Sequence, residues 1–192
     1  MKKIDCFVRL CIQKEYVSQD EAQWLRYALE KRIVSMIAFI PVLIVGLLIT
    51  NPASLFGFLV TFFLLRIRTN GFHAKSVGRC LLYSVFGEVF FLKVLPMVWN
   101  DIVAFIALAM SIILIWVLAP YNHPNMELSS EEVTACANSA KWRLGMLVLS
   151  LSILYIWQQD NLAEGILFGI IMTASTLATA YCLQKTEVEE KI

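Results

Sequence analysis

Six apolar runs, separated by short polar breaks, constrain this chain of 192 residues more than any other feature. A helix that crosses a membrane needs about 20 predominantly apolar residues. Hydrophobic residues make up 59% of the chain and charged residues 16%, against roughly 45–50% and 25% in soluble domains. A soluble protein of this size has too little interior to bury that apolar surface, so the pattern predicts an all-α integral membrane protein. The predicted spans, about six in number, are 33–50, 53–65, 81–99, 102–119, 144–157 and 162–183.

The sixteen Lys and Arg residues are distributed very unevenly among the connections. Seven precede the first run, four lie between the second and third, two lie between the fourth and fifth, and two follow the sixth, whereas the other three connections have none. Positively charged loops stay on the cytoplasmic side of a membrane. We therefore expect both termini to be cytoplasmic, together with the segments 66–80 and 120–143 of the membrane domain 33–183 and the tail 184–192.

The segment 1–32, ahead of the first span, is amphipathic. Its apolar residues recur three or four positions apart, which predicts a helix with one apolar face. That face suits either the inner leaflet of the membrane or the docking of another amphipathic segment, and both interpretations remain open. The residues that define the face are Ile4, Phe7, Val8 and Cys11.

Charge and cysteine content exclude several classes of function. The net charge of +1 gives no basic field for nucleic acid. The five cysteines are odd in number and form no CxxC pair, which argues against a disulfide framework and a zinc site. We therefore expect no metal, no cofactor and no nucleic-acid partner, and a single reactive thiol among several inert ones.

The segment 66–80 is richer in reactive side chains than a connector requires. It combines His73, Cys80, two glycines and four cations where two spans meet. A thiol has a pKa of about 8.5, so a nucleophilic cysteine depends on a base to take its proton and on cations to stabilise its thiolate. An imidazole is a suitable base. The cations expected within reach of the thiol are Arg68, Lys75 and Arg79.

The spacing of His73 and Cys80 restricts how they can act together. On one straight helix they would lie about 10.5 Å apart along the axis, whereas proton transfer needs about 3 Å. We expect bends at Gly71 and Gly78, with His73 on a loop folding back towards Cys80 at the start of the third span. The residue types alone are also compatible with a solvated histidine, a packing cysteine and cations that only orient the loop.

The same segment resembles the signature of the accessory gene regulator B family of membrane peptidases. The order and spacing of an arginine, a glycine, a histidine and a cysteine match the family motif closely, and the amphipathic start, the six runs and the length are similar. Asn70 departs from the pattern, which often has a second glycine there, and the loop 121–132 lacks the lysines often found in the family. The matching positions are Arg66, Gly71, His73 and Cys80.

The resemblance implies a bacterial membrane cysteine endopeptidase that cleaves the C-terminal part of a quorum-sensing autoinducer propeptide. It implies Cys80 as the nucleophile and His73 as the general base, with a thioester acyl-enzyme that promotes thiolactone cyclisation. It also implies an amphipathic propeptide at the inner leaflet as the substrate. Gly71 is expected to admit the scissile carbonyl, and Arg66 to anchor the loop or bind an acidic part of the propeptide.

Glu88 and Lys93 lie inside the third run, where a charge costs ~2.5–3.5 kcal/mol on insertion scales. Glu88 is expected to pair with Arg66 or Arg68, to orient His73, or to line a wet cavity. We expect the ammonium of Lys93 to reach the membrane interface.

Two other classes of function are compatible with the sequence. One is a small multi-span peptide transporter or exporter without proteolytic activity, with Glu88 and Lys93 on the substrate path. The other is a non-catalytic membrane partner. The spacing of Gly165 and Gly169 also permits close helix contact, either within the chain or in a homodimer.

Overall fold

The computed structural model is helical throughout its regular structure. Within its described residues it contains seven α-helices and no strand, which confirms the predicted all-α fold. A π-helical turn and a 3₁₀ turn extend the fourth helix. The structure describes residues 2–14, 16–18, 22–70, 77–98, 100–122 and 129–189. The helices are α1 (Lys2–Gln13), α2 (Ala22–Ile49), α3 (Pro52–Thr69), α4 (Val77–Val89, then Phe90–Val94 and Leu95–Val98), α5 (Asp101–Leu118), α6 (Ser130–Ile156) and α7 (Asp160–Glu189).

Five helices in the described part of the chain are long and apolar enough to cross a membrane. A sixth apolar helical segment, Phe39–Ile49, forms the end of α2, where the sequence predicts the first span. The prediction of about six spans therefore holds as an approximate count. The five candidate spans are Pro52–Thr69, Gly78–Val98, Asp101–Leu118, Ser130–Ile156 and Asp160–Leu183.

Two of the polar breaks between the runs act as helix N-caps. The side chain of Asn51 accepts a hydrogen bond from the Ala53 N–H at 2.8 Å, and Pro52 fits the first helical position because its missing N–H is not needed there. The side chain of Asn100 likewise accepts from the Val103 N–H at 3.0 Å. These caps explain why α3 and α5 begin directly after the breaks in the hydropathy pattern.

The boundaries of α6 and α7 differ from the predicted ones. The polar segment 120–143 separates two apolar runs in the sequence, yet its second half already belongs to α6. The Ser129 side chain accepts from the Glu132 N–H at 3.3 Å, and the Glu132 carboxylate accepts from the Ser129 N–H at 2.9 Å, which forms a capping box. The helix therefore begins well before its apolar part, 144–157. At the other end of the chain, α7 continues into the predicted tail, 184–192.

The chain divides into two compact units, residues 1–44 and 45–192. In the first unit, α1 buries Val8 and leaves other apolar side chains half exposed. Asp5 on α1 forms an ion pair with Arg26 at 3.3 Å. The N-terminal segment thus contains the helix that its apolar spacing predicts.

In the second unit, α3 and α7 form the centre of the bundle. Of their candidate spans 44% and 56% is buried within the protein, against 11% for each of the other three. A Cβ on Gly169 would lie 2.7 Å from the Thr61 Cβ, and one on Gly165 would overlap the Ser54 carbonyl. Small residues allow such close approach of membrane helices. The glycine pair therefore serves a contact within the chain.

Candidate active site

Cys80 lies in the first turn of α4, at the end of the bundle where α3 and α5 finish. We call this end the active-site end. α4 is described from Val77 onward, and Cys80 is the fourth of its described residues. The side chain is a half-buried free thiol.

Arg66 lies in the last turn of α3. It is near enough to Cys80 for the guanidinium and the thiol to interact electrostatically. It also donates from Nη1 to the backbone carbonyl of Asn70, whose own N–H donates to the Arg66 carbonyl at 3.1 Å. Arg66 therefore connects the end of α3 with the first turn of α4.

Asn70 ends α3 with φ 57° and ψ −123°. Residues other than glycine rarely adopt a positive φ. The chain thus leaves the helix at Asn70, one residue before the predicted bend at Gly71, which lies outside the described residues. The other predicted bend is wrong, because Gly78 is part of the first turn of α4.

Tyr121 connects the ends of three helices at the active-site end. Its N–H donates to the Thr69 carbonyl at 2.9 Å, and its own carbonyl accepts from Asn70 Nδ2 at 3.2 Å. Its buried ring packs edge-on against Tyr181 on α7, with ring centroids 5.2 Å apart. The Tyr181 hydroxyl in turn donates to the Leu118 carbonyl at 2.9 Å. Tyr121, three residues after the end of α5, is therefore in contact with both α3 and α7.

Of the other predicted site residues, the structure describes Arg68 and Arg79. Arg68 is half buried, and its Nε has no hydrogen-bond partner in the described part of the chain. Arg79, next to Cys80 in sequence, has an exposed side chain. His73 and Lys75 lie outside the described residues, and their roles remain predictions.

Glu88 is fully buried at the middle of the span Gly78–Val98, as the eleventh of its 21 residues. Neither carboxylate oxygen has a hydrogen-bond partner among the described residues. The expected pair with Arg66 or Arg68 is therefore not formed there. Eight residues along α4 separate Glu88 from Cys80, about 12 Å along the helix axis. A π-helical turn, a feature often found at functional sites, begins two residues after Glu88.

Two further observations concern the bundle outside the active-site end. The described residues contain no group of three or more His, Cys, Asp or Glu side chains that is able to hold a metal ion. An apolar groove of about 340 Å³ lies between α3, α6 and α7, lined by Phe56, Thr61, Leu154 and Ile166 among others. None of the residues that line it belongs to the segment around Cys80.

The fold and the site define an all-helical, multi-pass membrane protein with a cysteine at the end of one span. The family model of accessory gene regulator B matches residues 5–177, which is most of the chain. The chain therefore belongs to the accessory gene regulator B family, and the resemblance seen in the sequence is confirmed. Membership of this peptidase-like family supports a role in processing the accessory gene regulator autoinducer. Comparisons with curated proteins and with solved structures found no match.

Proposed function

We propose that the protein is a membrane-embedded cysteine endopeptidase that cleaves the C-terminal part of an autoinducer propeptide and promotes thiolactone cyclisation. Cys80 is the nucleophile, His73 is the general base, and Arg66 is a cation that stabilises the thiolate. The observation that supports this most directly is the electrostatic interaction between Cys80, near the described start of α4, and Arg66 in the last turn of α3. A cation favours the reactive form of a thiol.

The reaction consists of two acyl transfers. His73 takes the thiol proton, and the Cys80 sulfur attacks the scissile carbonyl while the peptide C–N bond breaks. His73 returns the proton to the leaving amine, and the N-terminal part of the propeptide remains bound to Cys80 as a thioester. A cysteine within that part then attacks the thioester, loses its proton to His73 and closes the thiolactone ring as the Cys80 thiolate leaves.

Cyclisation depends on excluding water from the thioester, because hydrolysis gives a linear acid instead of a ring. A site at the edge of the bilayer meets this requirement, and it also suits an amphipathic propeptide that lies on the inner leaflet. We propose that both termini are cytoplasmic in a bacterial cell membrane. The reason is that both terminal segments carry Lys and Arg, and segments rich in these residues stay on the cytoplasmic side. The homodimer considered above remains a proposal.

Four further residues have proposed supporting roles. Gly71 leaves room for the scissile carbonyl, and its N–H is available to the developing oxyanion. Arg68 and Lys75 add positive charge for an acidic propeptide segment. Glu88 orients His73 or lines a wet cavity.

The test is co-expression with the short open reading frame that neighbours the gene, followed by mass spectrometry of the peptide products. The proposal predicts a cyclic product from the wild type and none from Cys80→Ala. Cys136→Ala is the matched control, since Cys136 is also a half-buried free thiol but lies on α6. A cyclic product in the Cys80→Ala cells would contradict the proposal and favour a peptide exporter without proteolytic activity.

A further inference from the structure

We propose that Asn70 is a positioning residue that holds Arg66 against Cys80 and thereby sets the reactivity of the thiol. Its consequence for cleavage rests on the proposed function, but its effect on the thiol does not. Asn70 lies at the boundary between α3 and the segment that leads to α4. It is hydrogen-bonded both to Arg66 and to Tyr121, which lies three residues after the end of α5.

The backbone of Asn70 makes two reciprocal bonds with Arg66. The N–H of Asn70 donates to the Arg66 carbonyl at 3.1 Å, which closes the last turn of α3. The carbonyl of Asn70 accepts from the Arg66 guanidinium. In a continuing helix that carbonyl would accept from the N–H four residues later. The positive φ of 57° turns it out of the helical pattern and leaves it available to the guanidinium.

The side chain of Asn70 explains why this unfavourable backbone conformation persists. Strained dihedral angles are kept only where the surrounding structure holds them. Asn70 Nδ2 donates to the Tyr121 carbonyl at 3.2 Å, and the Tyr121 N–H donates to the Thr69 carbonyl at 2.9 Å. Tyr121 is itself buried and packed on Tyr181. The two bonds thus fix residues 69 and 70 to a rigid neighbour 51 positions away in sequence.

Position 70 therefore requires a residue that adopts a positive φ and a side chain that donates to the Tyr121 carbonyl. Two substitutions separate these requirements. Glycine adopts a positive φ freely but lacks the donor for Tyr121. Alanine lacks the donor and also disfavours the backbone conformation. If Asn70 positions Arg66 as proposed, Asn70→Gly weakens the arrangement and Asn70→Ala disrupts it further.

The experiment measures the rate at which iodoacetamide alkylates Cys80 between pH 5 and 9. The full-length protein is used in lipid nanodiscs, and the modified peptide is quantified by mass spectrometry. We expect Asn70→Ala to slow alkylation of Cys80 at pH 7 by about tenfold, because the thiolate is the reactive form and a displaced cation no longer stabilises it. Asn70→Gly should fall between Asn70→Ala and the wild type. The pH midpoint of the rate should rise in the same order.

Two internal references accompany this measurement. The exposed thiol of Cys182 should react equally fast in all variants. Tyr181→Phe removes the hydrogen bond to the Leu118 carbonyl at the same end of the bundle but leaves the bonds of Asn70 in place, so the rate at Cys80 should stay near the wild-type value. In the cleavage assay, kcat should fall in the order seen for alkylation while KM is unchanged, because Asn70 acts through Arg66 and not on the propeptide.

Three results would overturn the proposal. One is a wild-type rate and pH midpoint at Cys80 in a folded Asn70→Ala or Asn70→Gly protein. The second is an Asn70→Gly protein as slow as Asn70→Ala, since the backbone conformation would then be irrelevant. The third is an equal slowing at Cys182. If Asn70→Ala does not fold, the alkylation rate and pH midpoint of Cys80 in Asn70→Gly and in the wild type are compared instead, and equal values overturn the proposal. Cleavage that persists in Cys80→Ala would remove the proposed function and leave the alkylation test intact.

Discussion

The helix pair α3–α7 and the helix α4 are built in opposite ways. About half of each span in the pair is buried in the protein, whereas 11% of the span that contains Cys80 is buried. Between α3 and α7 the backbones approach so closely that Gly165 and Gly169 have no room for a side chain. On α4, by contrast, a Cβ on Gly78 would meet no atom of the described residues within 4 Å, and one on Gly87 would meet only the flexible end of the Met172 side chain, at 2.9 Å. The hydrogen-bond pattern of α4 also changes to π-helical and 3₁₀ turns before it ends.

This difference separates the residues that hold the bundle together from those proposed to carry out the chemistry. Changes at the α3–α7 contact should act on stability first, whereas changes at the start of α4 should act on activity with little effect on folding. Arg66 is the link between the two regions, because it lies in the last turn of α3 and interacts electrostatically with Cys80. Stability and activity should therefore respond to substitutions in different regions of the protein.

The largest effect is expected at the catalytic pair. Cys80→Ala should abolish cleavage and leave the protein folded, and Cys80→Ser should fail as well because a hydroxyl is far less acidic than a thiol. His73→Ala should lower the cleavage rate by roughly 10²–10⁴-fold, as expected for loss of a general base. The measurement is the rate of propeptide cleavage by purified protein, with thermal unfolding as the folding control. The other histidine of the chain, His123, lies in the loop 121–132 and is expected to be a solvated side chain, so His123→Ala should cleave normally. The opposite ranking of the two histidines would mean that the base is misassigned.

The next largest effect is expected at the helix pair. Gly165→Ala places a methyl group against the Ser54 carbonyl, a backbone atom that cannot move aside without shifting α3. Such overpacking costs about 1–3 kcal/mol of unfolding free energy, and activity should be lost only as far as the fold is lost. Gly145→Ala is the matched control, because its Cβ meets nothing within 4 Å and alanine stabilises a helix by about 0.5–1 kcal/mol relative to glycine. Equal thermal stability of the two variants would show that α3 and α7 are not packed through their backbones.

A smaller effect on activity is expected at Arg66. Arg66→Met removes the charge beside Cys80, whereas Arg66→Lys retains it but loses the planar donor group. A nearby opposite charge changes the balance between thiol and thiolate by about tenfold or more, so the methionine variant should cleave roughly 10–100-fold more slowly, and the lysine variant should lie between it and the wild type. The measurement is kcat/KM together with the alkylation rate of Cys80. Full activity in Arg66→Met would separate Arg66 from the chemistry and leave it a purely structural residue.

The smallest effect on activity is expected at Glu88, whose two carboxylate oxygens are buried without hydrogen-bond partners in the described structure. Unpartnered buried polar groups cost about 1–3 kcal/mol each. Glu88→Met should therefore raise the stability of the bundle by an amount in that range and lower cleavage less than tenfold, because Cys80 lies about 12 Å away along α4. Thermal unfolding and cleavage rate are measured on the same sample. A destabilised Glu88→Met protein would contradict this prediction, because the carboxylate would then make a favourable interaction in the bundle.

Much of the fold follows from the hydropathy pattern, because apolar runs and capping residues act locally. Asn51 and Asn100 end one apolar run and cap the next helix, so the boundaries at both breaks are close to the predicted ones. Residues 133–140 are predicted to form a short amphipathic helix, but their continuity with the apolar run 144–157 in one helix, α6, does not follow from the hydropathy pattern, because the first turns are polar. Apolar content alone does not indicate where a helix begins outside the membrane.

The site was less predictable, because it depends on contacts between residues distant in sequence. The spacing of Arg66 and Cys80 does not reveal that the two helix ends meet. The hydrogen bond between Asn70 and Tyr121 joins positions 51 residues apart, and no local pattern indicates it. An asparagine directly before a glycine is a signal for a turn with positive φ. It was available in the sequence and would have placed the end of α3 at Asn70.

The central claim, that Cys80 forms a thioester with the propeptide, is tested most directly by intact-mass analysis. The purified enzyme is incubated with a propeptide in which the ring-forming cysteine is changed to alanine. We expect cleavage to proceed and the N-terminal part of the propeptide to accumulate as an adduct on Cys80 that hydroxylamine removes, because attack by water is slow in an occluded site. Rapid release of a linear acid without any adduct would contradict the account, since the protein would then hydrolyse the propeptide without conserving the acyl group for cyclisation.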